Sequence, residues 1–145
     1  MKTLIIYDSN FGNTKTIAGA VAESLHGKSI SVNEISIDLL KNVELLIVGS
    51  PINAWRATEK IRKFLDRIPQ GGLQGIKAAA FDTRVKIFIS GNAAKKISKA
   101  LSKKSATIIS EPKGFYVSGN EGPLLDGEIA NAKNWGSEIL EKLKK

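Results

Sequence analysis

No cysteine occurs among the 145 residues, so disulfides, thiolate nucleophiles and cysteine-based metal sites are excluded outright. The single histidine, His26, stands beside Gly27 at the end of a helical pattern, and reads as a helix C-terminal residue rather than a catalytic base. No apolar run approaches the roughly 20 residues of a membrane span. Neither GxxxxGK[ST] nor GxGxxG is present, which removes a P-loop nucleotidase and leaves a dinucleotide fold without its fingerprint. The chain begins MKT with no apolar signal-peptide core, so a cytoplasmic location is expected. Acidic side chains are also in short supply, 14 against 22 basic, for a formal charge of +8.

What is present begins with the first fourteen residues, MKTLIIYDSNFGNT. Leu4, Ile5, Ile6 and Tyr7 form a compact apolar run suited to a strand buried on both faces of a parallel sheet. Ser9, Asn10, Phe11, Gly12, Asn13 and Thr14 follow, supplying hydroxyl and amide donors, a glycine that lets N–H groups approach an oxygen, and a helix N-terminus that favours negative charge. This is a candidate phosphate cradle. The ordinary alternative is a polar turn with an Asn or Thr helix cap.

Further along, Ile17, Val21 and Leu25 mark a first helix with Gly27 as its closing residue. Ile30, Val32 and Ile35 alternate as a short strand, and Ile37 to Val43 has room only for a turn or helical fragment. Glu44 to Gly49 is a second apolar strand that runs into Ser50, Pro51, Ile52, Asn53, Ala54 and Trp55. A helix with Ile61, Phe64, Leu65 and Ile68 on its apolar face ends at Pro69, Gly71 and Gly72. Lys77 to Phe81 is a strand of small side chains, and Asp82 to Asn92 a loop. Ala94, Ile97 and Leu101 mark the next helix. Thr107 to Ile109 and Phe115 to Val117 form a last strand interrupted by Glu111 to Gly114. Ile129, Ala132, Gly136, Ile139 and Leu143 place a final helix against it, with Trp135 as a packing residue. Five strands separated by helices make an α/β domain, a parallel sheet covered on both faces. In such folds ligands bind beyond the carboxyl ends of the strands.

The run Ser9-Asn-Phe-Gly-Asn-Thr14 resembles the FMN-phosphate loop of the flavodoxin family, with a hydroxyl residue followed three positions later by Gly and five later by Thr. Phe11 stands where the family more often has Thr, which removes one hydroxyl donor. GSPINAW resembles the family's second loop, whose aromatic lies against the isoalloxazine, and Trp55 matches that role. The stretch EPKGFYVSGNEGPLLDGEIANAKNWG is similar to a small flavodoxin-domain subgroup, so the resemblance spans nearly the whole chain. It implies a single domain over residues 1–145, a three-layer flavodoxin-like sandwich, with a five-stranded parallel sheet of order 2-1-3-4-5. It also implies non-covalent FMN and single-electron transfer between a reductase and an acceptor, by a carrier rather than a stand-alone enzyme. The FMN site would comprise Ser9, Asn10, Phe11, Gly12, Asn13 and Thr14 at the phosphate, and Ser50, Pro51, Ile52, Asn53, Ala54 and Trp55 along the ring. Asp82, Thr83, Arg84 and Gly91 would complete it from the third loop. That loop departs from the family, which often carries a second aromatic and several acidic residues there. Here Arg84 would bring a positive charge to the ring edge, and Phe88 is an aromatic that could cover the ring.

Between Lys77 and Lys113 nine basic and two acidic side chains give a net +7. The segment is either a solvated helix face or a docking surface for an acidic redox protein. Nucleic acid could bind on charge alone, without sequence specificity. Three other readings share the fold. A receiver domain needs an acidic pair after the first strand and an Asp ending the third, whereas Asp8 stands alone and the third strand ends in Gly49-Ser50. A flavodoxin-like scaffold could bind an acidic partner without flavin. An FMN-dependent NAD(P)H quinone or nitro reductase would need a nicotinamide site, for which no motif is recognisable.

Overall fold

The computed structural model describes residues 1–86, 91–119 and 121–144. Its strands are β1 (Thr3–Tyr7), β2 (Lys28–Ser31), β3 (Leu45–Pro51), β4 (Lys77–Val85), β5 (Thr107–Ile108) and β6 (Lys113–Val117). Its α-helices are α1 (Asn13–Leu25), α2 (Glu59–Arg67), α3 (Ala93–Lys103) and α4 (Glu128–Leu143). All strand pairs are parallel, in the order β2-β1-β3-β4-β5, with β6 also on β4. β5 meets Lys77 and Ala78, and β6 meets Phe81 to Val85. Together they form the one interrupted edge strand expected from the sequence. Pro112 sits in the interruption, where its missing N–H costs no ladder bond.

Strand alternation divides the core in two. Leu4, Ile6, Leu46, Val48, Ala78 and Ala80 face α2 and α3, packing on Ile61, Phe64, Leu65, Ile97 and Leu101. Ile5, Tyr7, Leu45, Ile47, Ala79 and Phe81 face α1 and α4. On that side Phe81, Phe115 and Trp135 meet edge to face, with centroids 5.9–6.0 Å apart, and the Trp135 Nε1–H donates to Ser110 Oγ at 3.1 Å. Gly49 is required by this packing, because a Cβ there would stand 2.1 Å from the Phe81 ring.

The outer edge of β6 is closed by the chain that follows it. The Tyr116 N–H donates to the Glu128 carboxylate at 2.7 Å, the Leu125 N–H to Tyr116 O at 2.9 Å and the Ser118 N–H to Pro123 O at 2.9 Å. Glu128 is itself buried and accepts from Asn131 Nδ2 at 2.6 Å.

Several local expectations are corrected. His26, not Gly27, takes the left-handed position after α1, with φ 54°. Gly27 is needed for a different reason, since a Cβ there would lie 2.8 Å from Thr3 Cγ2. β2 stops at Ser31, whose hydroxyl accepts from the Asn33 N–H and starts a 3₁₀ turn over Val32–Glu34. Ile37–Leu40 is a second such turn, as the short spacing implied. β4 continues through Asp82, Thr83, Arg84 and Val85 rather than breaking into a loop at Asp82. Ile129 is exposed, so α4 packs through Ala132, Trp135, Gly136 and Ile139 instead. Among the described residues no helix is long and apolar enough to cross a membrane.

Candidate functional site

β1, β3 and β4 end on the same side of the sheet, and beyond them lies a cleft of about 690 Å³. That is within the usual size of a small-molecule site. Its first wall is the turn from β1 into α1. Gly12 precedes the helix at φ 93°, with open space where a Cβ would be. Ser9 Oγ lies inside the turn and accepts from the Gly12 N–H at 3.0 Å and the Lys15 N–H at 3.4 Å. Gly12 itself offers no side-chain cap and the first turn holds no acidic residue, so apart from the long Ser9 contact to Lys15 the N-terminal field of the helix is left for an external anion. Asn10, Phe11, Asn13 and Thr14 complete this wall. Thr14 is buried, its hydroxyl 2.8 Å from that of Thr83 on β4.

The second wall follows β3. Pro51, Ile52, Asn53, Ala54 and Trp55 line the cleft. Asn53 and Arg56 exchange two backbone hydrogen bonds, at 2.7 and 3.1 Å. Ala54 and Trp55 between them both have positive φ, 47° and 74°, which is the type I′ pattern normally filled by Asn or Gly. This turn holds the Trp55 side chain 52 % exposed at the cleft mouth. Asn10 Nδ2 donates to Asn53 Oδ1 at 3.2 Å and ties the two walls together.

The third wall is the end of β4, where Thr83, Arg84 and Val85 reach the cleft. Arg84 does not present a free charge. Its Nε and Nη2 donate to the two oxygens of Asp82 at 2.7 and 2.6 Å, and its Nη2 also reaches Asn92 Oδ1 at 3.2 Å. Gly114 leaves room for this fork, since a Cβ there would stand 2.6 Å from Nε. Asp82 is fully buried and also accepts the Ala94 N–H at 2.8 Å, at the start of α3. Burial holds the Asp82 carboxyl above the usual carboxylate range, against the pull of the Arg84 fork and of the Ala94 and Ala93 N–H groups. For Arg84, burial alone would favour the neutral form, and pairing with Asp82 more than reverses that. An ion pair so close acts on its surroundings as a dipole. The expected positive charge at a ring edge is therefore replaced by a compensated one.

Four expected site residues stand behind the cleft rather than in its lining. Gly12 shapes the turn; Ser50 is buried, with its Oγ accepting the Thr58 N–H at 3.0 Å. Asp82 anchors Arg84. Gly91 packs so closely on Trp55 that a Cβ would lie 2.8 Å from Trp55 Cα. Phe88 lies outside the described residues. Val85, Val117 and Glu121 line the cleft without having been anticipated. Val117 ends β6, so the rule that points to strand ends would have found it had the fifth strand been included. Glu121 enters through its loop, whose carbonyl accepts Asn13 Nδ2 at 3.1 Å, and carried no signal. Among the described residues no cluster of His, Asp or Glu could hold a metal ion.

Comparison with known proteins gives a consistent picture. The family model described as "Flavodoxin domain" matches residues 4–119. An uncharacterized protein of Methanocaldococcus jannaschii is 29% identical over 152 aligned positions, covering 97% of this chain and 99% of that one. A flavodoxin of Aquifex aeolicus is 34% identical over 91 positions, 57% of this chain and 49% of its own length. The solved structure of a flavodoxin from the domain Archaea superposes with a TM-score of 0.85 at 25% identity, covering both chains completely.

Proposed function

Because the chain belongs to the flavodoxin family, whose members are flavin-binding redox proteins, we propose that it binds FMN non-covalently and passes single electrons between a reductase and an acceptor. The observation that carries this reading is the meeting of a helix N-terminus free of acidic residues and an exposed aromatic turn across one cleft at the switch point of the sheet. The donor set fits the group. Ser9, Asn10, Asn13, Thr14 and the first-turn N–H groups of α1 would hold a phosphate, with Gly12 leaving the backbone open to it. Ile52, Trp55, Val85 and Val117 offer apolar surface for a planar ring. Bound there, the flavin supplies the one-electron chemistry. The chain's part is to hold and orient it, to exclude water from one face of it, and to surround it with few carboxylates.

Titration with FMN and riboflavin tests this. FMN is expected to bind well below about 100 μM, tighter than about −5.5 kcal/mol, and to quench tryptophan fluorescence. The quench should be smaller in Trp55→Phe, where only transfer from Trp135, in the core and outside the cleft lining, remains. Thr14→Ala should cost about 1–3 kcal/mol of FMN affinity and little for riboflavin. Equal losses for both ligands would make Thr14 a packing residue. No binding of either flavin would leave a flavodoxin-like scaffold that acts through a partner alone.

A further inference from the structure

The basic side chains of the 77–113 segment are not one surface. Lys77 opens β4, and Lys103 and Lys104 close α3, at the end of the sheet remote from the cleft. Lys86, Lys95 and Lys96 belong to the cleft end. Lys86 follows β4 and lies 5.5 Å from the Tyr116 ring centroid; Lys95 and Lys96 stand in the first turn of α3, and Lys96 Nζ is 3.4 Å from Trp55 O. Arg56 joins them from the turn that carries Trp55, and Lys99 extends the row by one helical turn. All five are exposed, and among the described residues none is in an ion pair. Nearby carboxylates are engaged elsewhere: Asp82 is held by Arg84, and Glu59 by Lys63 at 3.2 Å. Glu121 stands across the cleft, beside α1.

We propose that Arg56, Lys86, Lys95, Lys96 and Lys99, set around the exposed Trp55, form the docking face for an acidic electron-transfer protein. The inference rests on the carrier function proposed above and adds its partner chemistry. Unpaired, hydrated charges steer an oppositely charged partner and raise its association rate, at a cost in salt sensitivity. A solvent-facing tryptophan is the kind of side chain enriched at interface cores. Its place at the cleft mouth would bring the partner's redox centre to the cofactor's open edge. One electron would leave the partner's reduced iron–sulfur cluster, which is oxidised, and enter the flavin, which is reduced. Lys77, Lys103 and Lys104, at the opposite end of the sheet, provide the internal control.

The test uses a labelled acidic plant-type [2Fe–2S] ferredoxin as probe and FMN loading as a separate readout. Fluorescence anisotropy should show binding that weakens about tenfold or more between roughly 20 and 300 mM salt. The double variant Lys95→Glu/Lys96→Glu should weaken binding, and slow electron transfer from the reduced ferredoxin, by about tenfold. Lys103→Glu/Lys104→Glu should change either by less than about twofold. Normal FMN loading with both double variants alike, or with salt-indifferent ferredoxin binding, overturns the docking face alone. Failure of the wild-type protein to load FMN overturns the carrier reading and this inference with it. Tighter binding of a duplex DNA oligomer than of ferredoxin at the same salt, lost in Lys95→Glu/Lys96→Glu, would assign the face to nucleic acid and overturn the proposal.

Discussion

At Asp82 a fully buried carboxylate is sustained by three close donors, two from Arg84 and one from the Ala94 N–H. The pair joins β4 to the start of α3 and fixes the floor of the cleft beside Thr83. Removing one member of such a pair leaves the other desolvated, which costs about 3–5 kcal/mol. Arg84→Gln should lose about that much stability near neutral pH, read by urea denaturation. The pH dependence follows from the raised Asp82 carboxyl. A carboxyl raised on folding favours the folded state most below its unfolded value, about pH 4, and that contribution is lost as pH rises through the raised one. Taking away Arg84 raises it further, so the deficit of Arg84→Gln should shrink as the pH is lowered toward about 4. A deficit that does not change with pH would mean that Arg84 acts only by packing.

Among the elements, the turn from Asn53 to Arg56 sets two consecutive L-residues in left-handed backbone. Left-handed backbone costs an L-residue roughly 1–2 kcal/mol, and Ala54 and Trp55 both adopt it. Ala54→Gly removes one of these costs but adds unfolded-chain entropy of about 0.4–1 kcal/mol. The net expectation is a gain of up to about 1 kcal/mol in thermal or urea stability; a loss would mean that the Ala54 methyl packs usefully at the cleft mouth. Nothing in the sequence marked this turn, since Ala-Trp carries none of the Asn or Gly that such turns select. The β1 and β3 strands were legible because burial on both faces leaves an uninterrupted apolar run, and the turn into α1 because its polar residues and glycine are crowded into six positions. The end of β4 was not. Asp-Thr-Arg reads as a polar loop until the two charges are seen to neutralise each other at i and i+2 on one face of a strand. The His26 cap was hidden for a related reason: Gly27 looks like the left-handed residue, but its glycine is spent on clearance beside Thr3.

For the molecule as a whole, the same sheet that carries the cleft at its carboxyl ends also has two lateral margins. One is β2, four residues long and opened by Lys28. The other is the interrupted strand of β5 and β6, where the outward Tyr116 N–H and C=O are taken by Glu128 and Leu125, and the Ser118 N–H just beyond by Pro123. Short strands, lysine and covered margins are the means by which proteins avoid recruiting copies of themselves. Glu128, which starts α4, is therefore expected to guard against polymerisation as well. Glu128→Ala should cost about 1–3 kcal/mol through the abandoned Tyr116 N–H. It should also accelerate fibre growth under mildly destabilising conditions, followed by thioflavin fluorescence and light scattering. Glu128→Gln keeps an oxygen within reach of Tyr116 and should largely prevent that growth; fibre kinetics unchanged in Glu128→Ala would place the protection elsewhere. A carboxylate that seals this margin lets copies of the molecule meet often without one strand edge templating the next.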